Sequence, residues 1–153
     1  GKGFSEVTGI AGPAFELSEV SRGAAFGDVD NDGNVDILVC NNNGPVWLML
    51  NEAGRKGHWL QVGLEKTNGN RFGIGSRVGV FRKGESPLWR RAHTDGSYLS
   101  SSDIRVHFGL GGNPRIDAIV VQWLSGPGGP SEKWEHIKAD QIVTLRQGTG
   151  RPL

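Results

Sequence analysis

The sequence predicts an all-β protein built in two parts, and three observations carry that expectation. Glycine accounts for 25 of 153 residues, and Phe, Trp, Val, Ile and Leu fall in short runs separated by Gly, Asn, Asp, Ser and Pro, the pattern of many strands and many turns. From His58 onward apolar and polar residues alternate, as in Leu60, Val62 and Leu64, a period of two that suits a sheet with one buried face. No stretch carries the 3.6-residue periodicity of an amphipathic helix.

In the first part, residues 1–52, the segments 4–8, 24–26, 36–41 and 46–50 read as four short strands joined by turn-rich stretches, the size of one four-stranded propeller-type blade. Residues 51–57 (NEAGRKG) form a polar link. The second part, residues 57–147, places strands at 60–64, 78–80, 104–108, 119–123, 131–137 and 142–146, about seven with the weaker signals between them. Antiparallel strands of this kind build a β-sandwich or small barrel. Residues 148–153 read as a C-terminal tail.

Net charge of +1 hides an asymmetry. Residues 1–54 carry two basic and eight acidic groups, 55–91 nine and two, and 92–153 six of each. The basic middle is interrupted by apolar strand residues, so a solvated face or an internal match to the acidic front is expected rather than a nucleic-acid site. Cys40 is the single cysteine; it allows no intrachain disulfide or thiolate metal cluster and reads as a small buried hydrophobe. No window holds the eighteen or so apolar residues of a membrane helix, so membrane insertion is not expected. Gly1 does not begin a signal sequence, which suggests a processed product or fragment.

The densest chemistry lies in GDVDNDGNVDILV, residues 27–39. Counted from Asp28, carboxylates fall at positions one, three, five and nine, with Gly33 at six and the Asn34 carbonyl at seven. This is the first part of a calcium-loop pattern, in which alternate side chains turn inward and glycine permits the sharp bend. Oxygen donors without His or Cys favour Ca²⁺ over softer metals, and Mg²⁺ suits less well because it demands a stricter octahedron. An EF-hand needs a bidentate Glu at position twelve; Val39 stands there, so the loop joins two strands. The alternative is an Asp-rich turn that binds nothing.

RGAAFGDVDNDGNVDILV, residues 22–39, resembles an FG-GAP repeat, the blade of integrin α-subunits and many secreted bacterial proteins. The resemblance implies calcium held by the side chains of Asp28, Asp30, Asp32 and Asp36 and the carbonyl of Asn34. Further on, HWLQVGLEKTNGNRFGIGSRVGVF, DGSYLSSSD, RVHFGLGG and IDAIVVQWLSG occur in that order and resemble the ASPIC/UnbV domain. That domain follows FG-GAP repeats at the C-terminus of the cartilage acidic proteins and of many bacterial surface proteins. Leu124 stands where a proline usually follows the tryptophan. The resemblance implies architecture and location, the C-terminal part of a larger secreted or cell-surface protein; the role expected there is a non-enzymatic module for adhesion, scaffolding or assembly that meets a protein partner or itself.

A single blade cannot bury both faces, so residues 1–50 are expected to dock on the second part or on a neighbouring chain. Surface tryptophans that stack on sugar rings are the basis of a second reading, a polysaccharide-binding module. A third, a hydrolase or accessory domain, requires His93, Asp95 or His107 to converge; no nucleophile elbow is present, and His107 reads as a polar residue on a sheet surface.

Overall fold

A computed structural model describes residues 3–52, 57–125 and 129–153. The expected link 51–57 and the loop 125–130 fall partly outside these residues. The chain opens with a short helix α1 (Thr8–Ala11) and a 3-10 turn (Pro13–Glu16), then an antiparallel meander of β1 (Ser21–Gly27), β2 (Asp36–Asn41) and β3 (Trp47–Met49).

Among the described residues the first part therefore has three strands, where four were expected. The expected strand at 4–8 does not form. The Ile10 and Ala11 amides turn back onto the Val7 carbonyl, each at 2.9 Å. Phe4 and Ile10 stay exposed, so no burial favours an extended chain there. The free edge of β1 is instead taken by residues 97–103. Ala24 N donates to Ser97 Oγ and Phe26 N to Ser102 Oγ, both at 3.2 Å, and Asp103 N donates to the Phe26 carbonyl at 2.8 Å. Gly23 suits this contact because a β-carbon there would stand 2.4 Å from Ser100 Oγ.

The second part holds eight strands among the described residues: β4 (His58–Glu65), β5 (Arg77–Phe81), β6 (Leu88–Arg91), β7 (Val106–Gly111), β8 (Ala118–Gln122), β9 (Ser131–Trp134), β10 (Gln141–Arg146) and β11 (Arg151–Pro152). They form two sheets, β10-β4-β7 and β11-β9-β8-β5-β6. The architecture is a sandwich, and neither sheet closes into the barrel offered as the alternative. All pairings are antiparallel except β10 beside β4, which is parallel.

The alternation read from the sequence explains the core. Leu60, Val62 and Leu64 of β4, Phe108 of β7 and Leu145 of β10 meet Val78, Val80, Ile119 and Val121 of the facing sheet in one buried cluster. Trp123 closes it, packed edge-on against Trp134. At roughly 1.5–3 kcal/mol for each fully buried large apolar side chain, this shared cluster is what joins the sheets.

Residues 148–153, expected as a tail, are built into the fold. Glu132 is buried, and its carboxylate accepts from Gly148 N and Gly150 N at 2.9 Å each, which sets β11 beside β9. Cys40 corrects another expectation: it is exposed. It lies on β2 with Leu38, on the blade face where Leu38 and Leu48 are cross-strand partners and both exposed.

Candidate metal centre

The β1–β2 register assembles the acidic loop. Gly27 pairs with Asp36, so Asp28 follows one strand at the point where Asp36 opens the other. Asp28 and Asp36 are buried, Asp30 is exposed, and one oxygen from each lies within 4.8 Å of the others. Backbone amides shape the loop around them. Asp32 N donates to Asp28 Oδ1 at 3.0 Å and Gly33 N to Asp28 Oδ2 at 2.9 Å. Val29 N donates to Asp36 Oδ2 and Asn51 N to Asp36 Oδ1, both at 2.8 Å.

Asp32 stands apart from this group. Its oxygens accept from Asn34, Oδ1 from the backbone N at 2.8 Å and Oδ2 from the side-chain amide at 2.7 Å. Of the five residues expected as ligands, the fold thus gathers the carboxylates of Asp28, Asp30 and Asp36 and engages Asp32 with Asn34. Among the described residues no Lys, Arg or His forms an ion pair with the three gathered carboxylates. An all-oxygen donor set of this spacing fits Ca²⁺, whose ligands at 2.3–2.6 Å stand up to about 5 Å apart across the ion.

The same loop rests on the outer face of β4 and β7, opposite the sandwich core. Trp59, Gln61 and His107 present themselves there, with Gln61 paired to His107 across the strands. Gln61 is 1% exposed, and its Nε2 donates to Asp28 Oδ2. His107 Nε2 donates to the Gly33 carbonyl at 2.9 Å. Gly33 has φ +92°, and a β-carbon there would stand 2.1 Å from the Trp59 ring; only glycine fits both the bend and the contact. His107 is therefore an interface residue rather than a solvated one.

Arg105, just before β7, ties the loop from a third side. It donates through Nη1 to Asn31 Oδ1 at 2.6 Å and through Nη2 to the Asp28 carbonyl at 2.9 Å. Asp103 holds its Nε at 2.7 Å. Burial pushes the Asp103 carboxyl up, but the hydrogen bonds and charge of Arg105 outweigh it, so the group titrates below the ordinary Asp value. On the far side of Trp59, Asp140 accepts from His58 Nδ1 at 2.7 Å and Trp59 N at 3.1 Å, and Asp140 N donates to the Trp59 carbonyl at 2.7 Å. The Trp59 backbone is held at both its donor and its acceptor.

A cleft of about 600 Å³ opens between the blade and strands β6 and β7, and His93, Asp95 and His107 all line it. Their hydrogen bonds run to separate partners. His93 Nδ1 donates to Asp95 Oδ1 at 3.1 Å, both exposed, while His107 is committed to Gly33 and Ser97 Oγ to the β1 edge. None of the five tryptophans is fully exposed. Trp89, for example, lies between Phe81 and the Arg77 guanidinium.

Comparison with known proteins fixes the lineage. Residues 66–152, more than half of the chain, match the family model described as ASPIC and UnbV. The chain belongs to the ASPIC and UnbV family. The family match begins in the sandwich, beyond the aspartate loop. This ASPIC/UnbV chain is also 27% identical over 118 residues to cartilage acidic protein 1 of Xenopus tropicalis, and 25% identical over the same length to the mouse and human proteins of that name. The matches cover 75% of the chain and 18% of each relative, so the chain spans about a fifth of the length of these proteins. Among the described residues of this ASPIC/UnbV chain, no helix is long and apolar enough to cross a membrane.

Sequence reasoning missed Gln61 and Arg105. Gln61 occupies an outward position in an alternating strand, where a polar residue is the norm. The one hint was Trp59 two residues earlier on the same face, a large aromatic that a solvated face does not need.

Proposed function

We propose that the chain is a calcium-stabilised, non-catalytic structural module of an extracellular assembly, its first 52 residues acting as an FG-GAP-type blade. The observation that carries this is the group Asp28, Asp30 and Asp36, two of them buried, with no ion pair to any of the three among the described residues. Carboxylates withdrawn from water repel one another unless a cation sits among them. Asp28, Asp30 and Asp36 would hold Ca²⁺, and the ion would supply positive charge that locks the β1–β2 connection. The relatives are named for cartilage, a tissue made largely of extracellular matrix, which supports the location. The role of a rigid module in adhesion or scaffolding, with a protein partner or a second copy, rests on the same resemblance.

The test is thermal unfolding of the chain with Ca²⁺ and with excess chelator. Free ion at a hundred times its Kd should stabilise by about 2.7 kcal/mol, on the order of 5–10 °C in Tm for a chain of this size. An unchanged melt in chelator, with no heat of binding on calcium titration, would sink the structural-metal reading.

One observation favours a second reading, an acidic saccharide bound in the cleft. Arg90 reaches the cleft and stacks over Phe108 with its guanidinium 5.8 Å from the ring centroid, without a carboxylate partner among the described residues. Trp89 and the half-exposed Phe26 offer aromatic surface beside it. Binding of uronate or sulfated oligosaccharides that is lost in Arg90→Ala would support this reading; an empty glycan panel would remove it.

A further inference from the structure

The aspartate group does not belong to the blade alone. Gln61 comes from β4 of the sandwich, is 1% exposed, and touches Asp28 through Nε2, while its Oε1 is buried without a donor. An amide oxygen left in that state costs about 1–3 kcal/mol. Turning the amide over offers no relief, because oxygen would then face the Asp28 carboxylate oxygen, two acceptors in contact. In either orientation one oxygen of this pair is left without a donor, a place that a cation or a water can fill.

We propose that Gln61 completes the metal site from the second domain, so that a divalent cation acts as a clamp between blade and sandwich. This rests on the calcium reading above and adds to it a specific residue and a consequence. Besides the contacts of residues 97–103 on the β1 edge, a second set across the boundary falls on the loop that the cation would shape: Arg105 on Asn31 and the Asp28 carbonyl, His107 on the Gly33 carbonyl, and Trp59 on Gly33 itself. A loop fixed by a cation presents these groups to the sandwich together. A loop without one loses the arrangement they require. By reciprocity, docking must raise cation affinity by the same factor as the cation strengthens docking.

The experiment uses the 153-residue chain, calcium titration calorimetry, and hydrogen exchange of residues 27–35 and 58–63 with calcium or chelator. In the wild type, calcium should bind and slow exchange in both segments. Gln61→Met should weaken calcium affinity roughly 10-fold or more, as expected when a group that orients a metal ligand is lost, and should uncouple exchange in β4 from calcium. Gln61→Met affinity within about twofold of wild type with β4 exchange still slowed by calcium, or wild-type β4 exchange indifferent to calcium, overturns the clamp while leaving the calcium reading standing. No calcium binding by the wild type overturns both. Should Gln61→Met fail to fold, judged by exchange in β5 and β8, Arg105→Gln answers the same question. Arg105 touches none of the three gathered carboxylates but holds the loop at Asn31 and the Asp28 carbonyl, so weakened calcium affinity together with β4 exchange that no longer responds to calcium supports the clamp, and unchanged affinity overturns it.

Discussion

Replacing Gly33 by alanine tests the contact between blade and sandwich at its tightest point. The backbone cost comes first: φ is +92°, a conformation that disfavours an L side chain by about 1–2 kcal/mol. The new methyl would also stand 2.1 Å from Trp59 ring atoms, where carbon atoms prefer about 3.5–4.0 Å, so something must move by well over an ångström. Trp59 is poorly placed to move, because Asp140 holds its backbone N–H and carbonyl. Overpacking of this kind costs about 1–3 kcal/mol, giving a total of about 2–5 kcal/mol unless the loop escapes by lifting off. If it lifts, the bonds from Gln61, His107 and Arg105 go with it.

The assay is denaturant unfolding followed by tryptophan fluorescence, paired with hydrogen exchange of residues 27–35. Gly69→Ala is the control, since Gly69 also has positive φ (+75°) but nothing within 4 Å of a built β-carbon; it should cost only the backbone part, about 1–2 kcal/mol. Gly33→Ala no more destabilising than Gly69→Ala, with unaltered exchange in the loop, would refute the packing argument.

Two further outcomes follow from single groups. Glu132→Gln puts an amide N–H₂ in place of one carboxylate oxygen that receives the Gly148 and Gly150 amides, so a loss of about 1–3 kcal/mol and faster exchange in β11 are expected; unchanged exchange there would show that β11 stands without it. Asp140 is held below the ordinary Asp range: burial pushes it up, but the hydrogen bonds from His58 and Trp59 N and the charge of His58 prevail. Its contribution is therefore fully present above the unfolded Asp value of about 3.9 and is lost as pH falls through the lower folded value. Asp140→Asn should flatten the acid limb of the stability curve below about pH 4, and an unaltered limb would rule Asp140 out as a source of that dependence.

Much of this could be read from residue order. Alternation in β4, β7 and β8 is a local property of the chain, so Leu60, Val62, Phe108 and Val121 were legible as core. The loop Asp28 to Asp36 was legible because its spacing is short-range and its glycine necessary. Strand β6, four residues with two arginines, was not, since a short edge strand needs little apolar signal to form. The expected strand at 4–8 failed for the converse reason: its apolar residues found nothing to cover.

What the sequence determined by itself is the all-β class, the composition of the core and the presence of an acidic turn, all consequences of periodicity and spacing within a few residues. Tertiary structure alone decided that residues 97–103 take the blade's edge, that β10 lies parallel to β4, and that Gln61 and Arg105 belong to the same site as Asp28, 33 and 77 residues away along the chain. A side chain on an outward strand position carries no local mark of what will cover it. Only the docking of one part of the chain on another turns a surface glutamine into a buried one, and an acidic turn into a junction between domains.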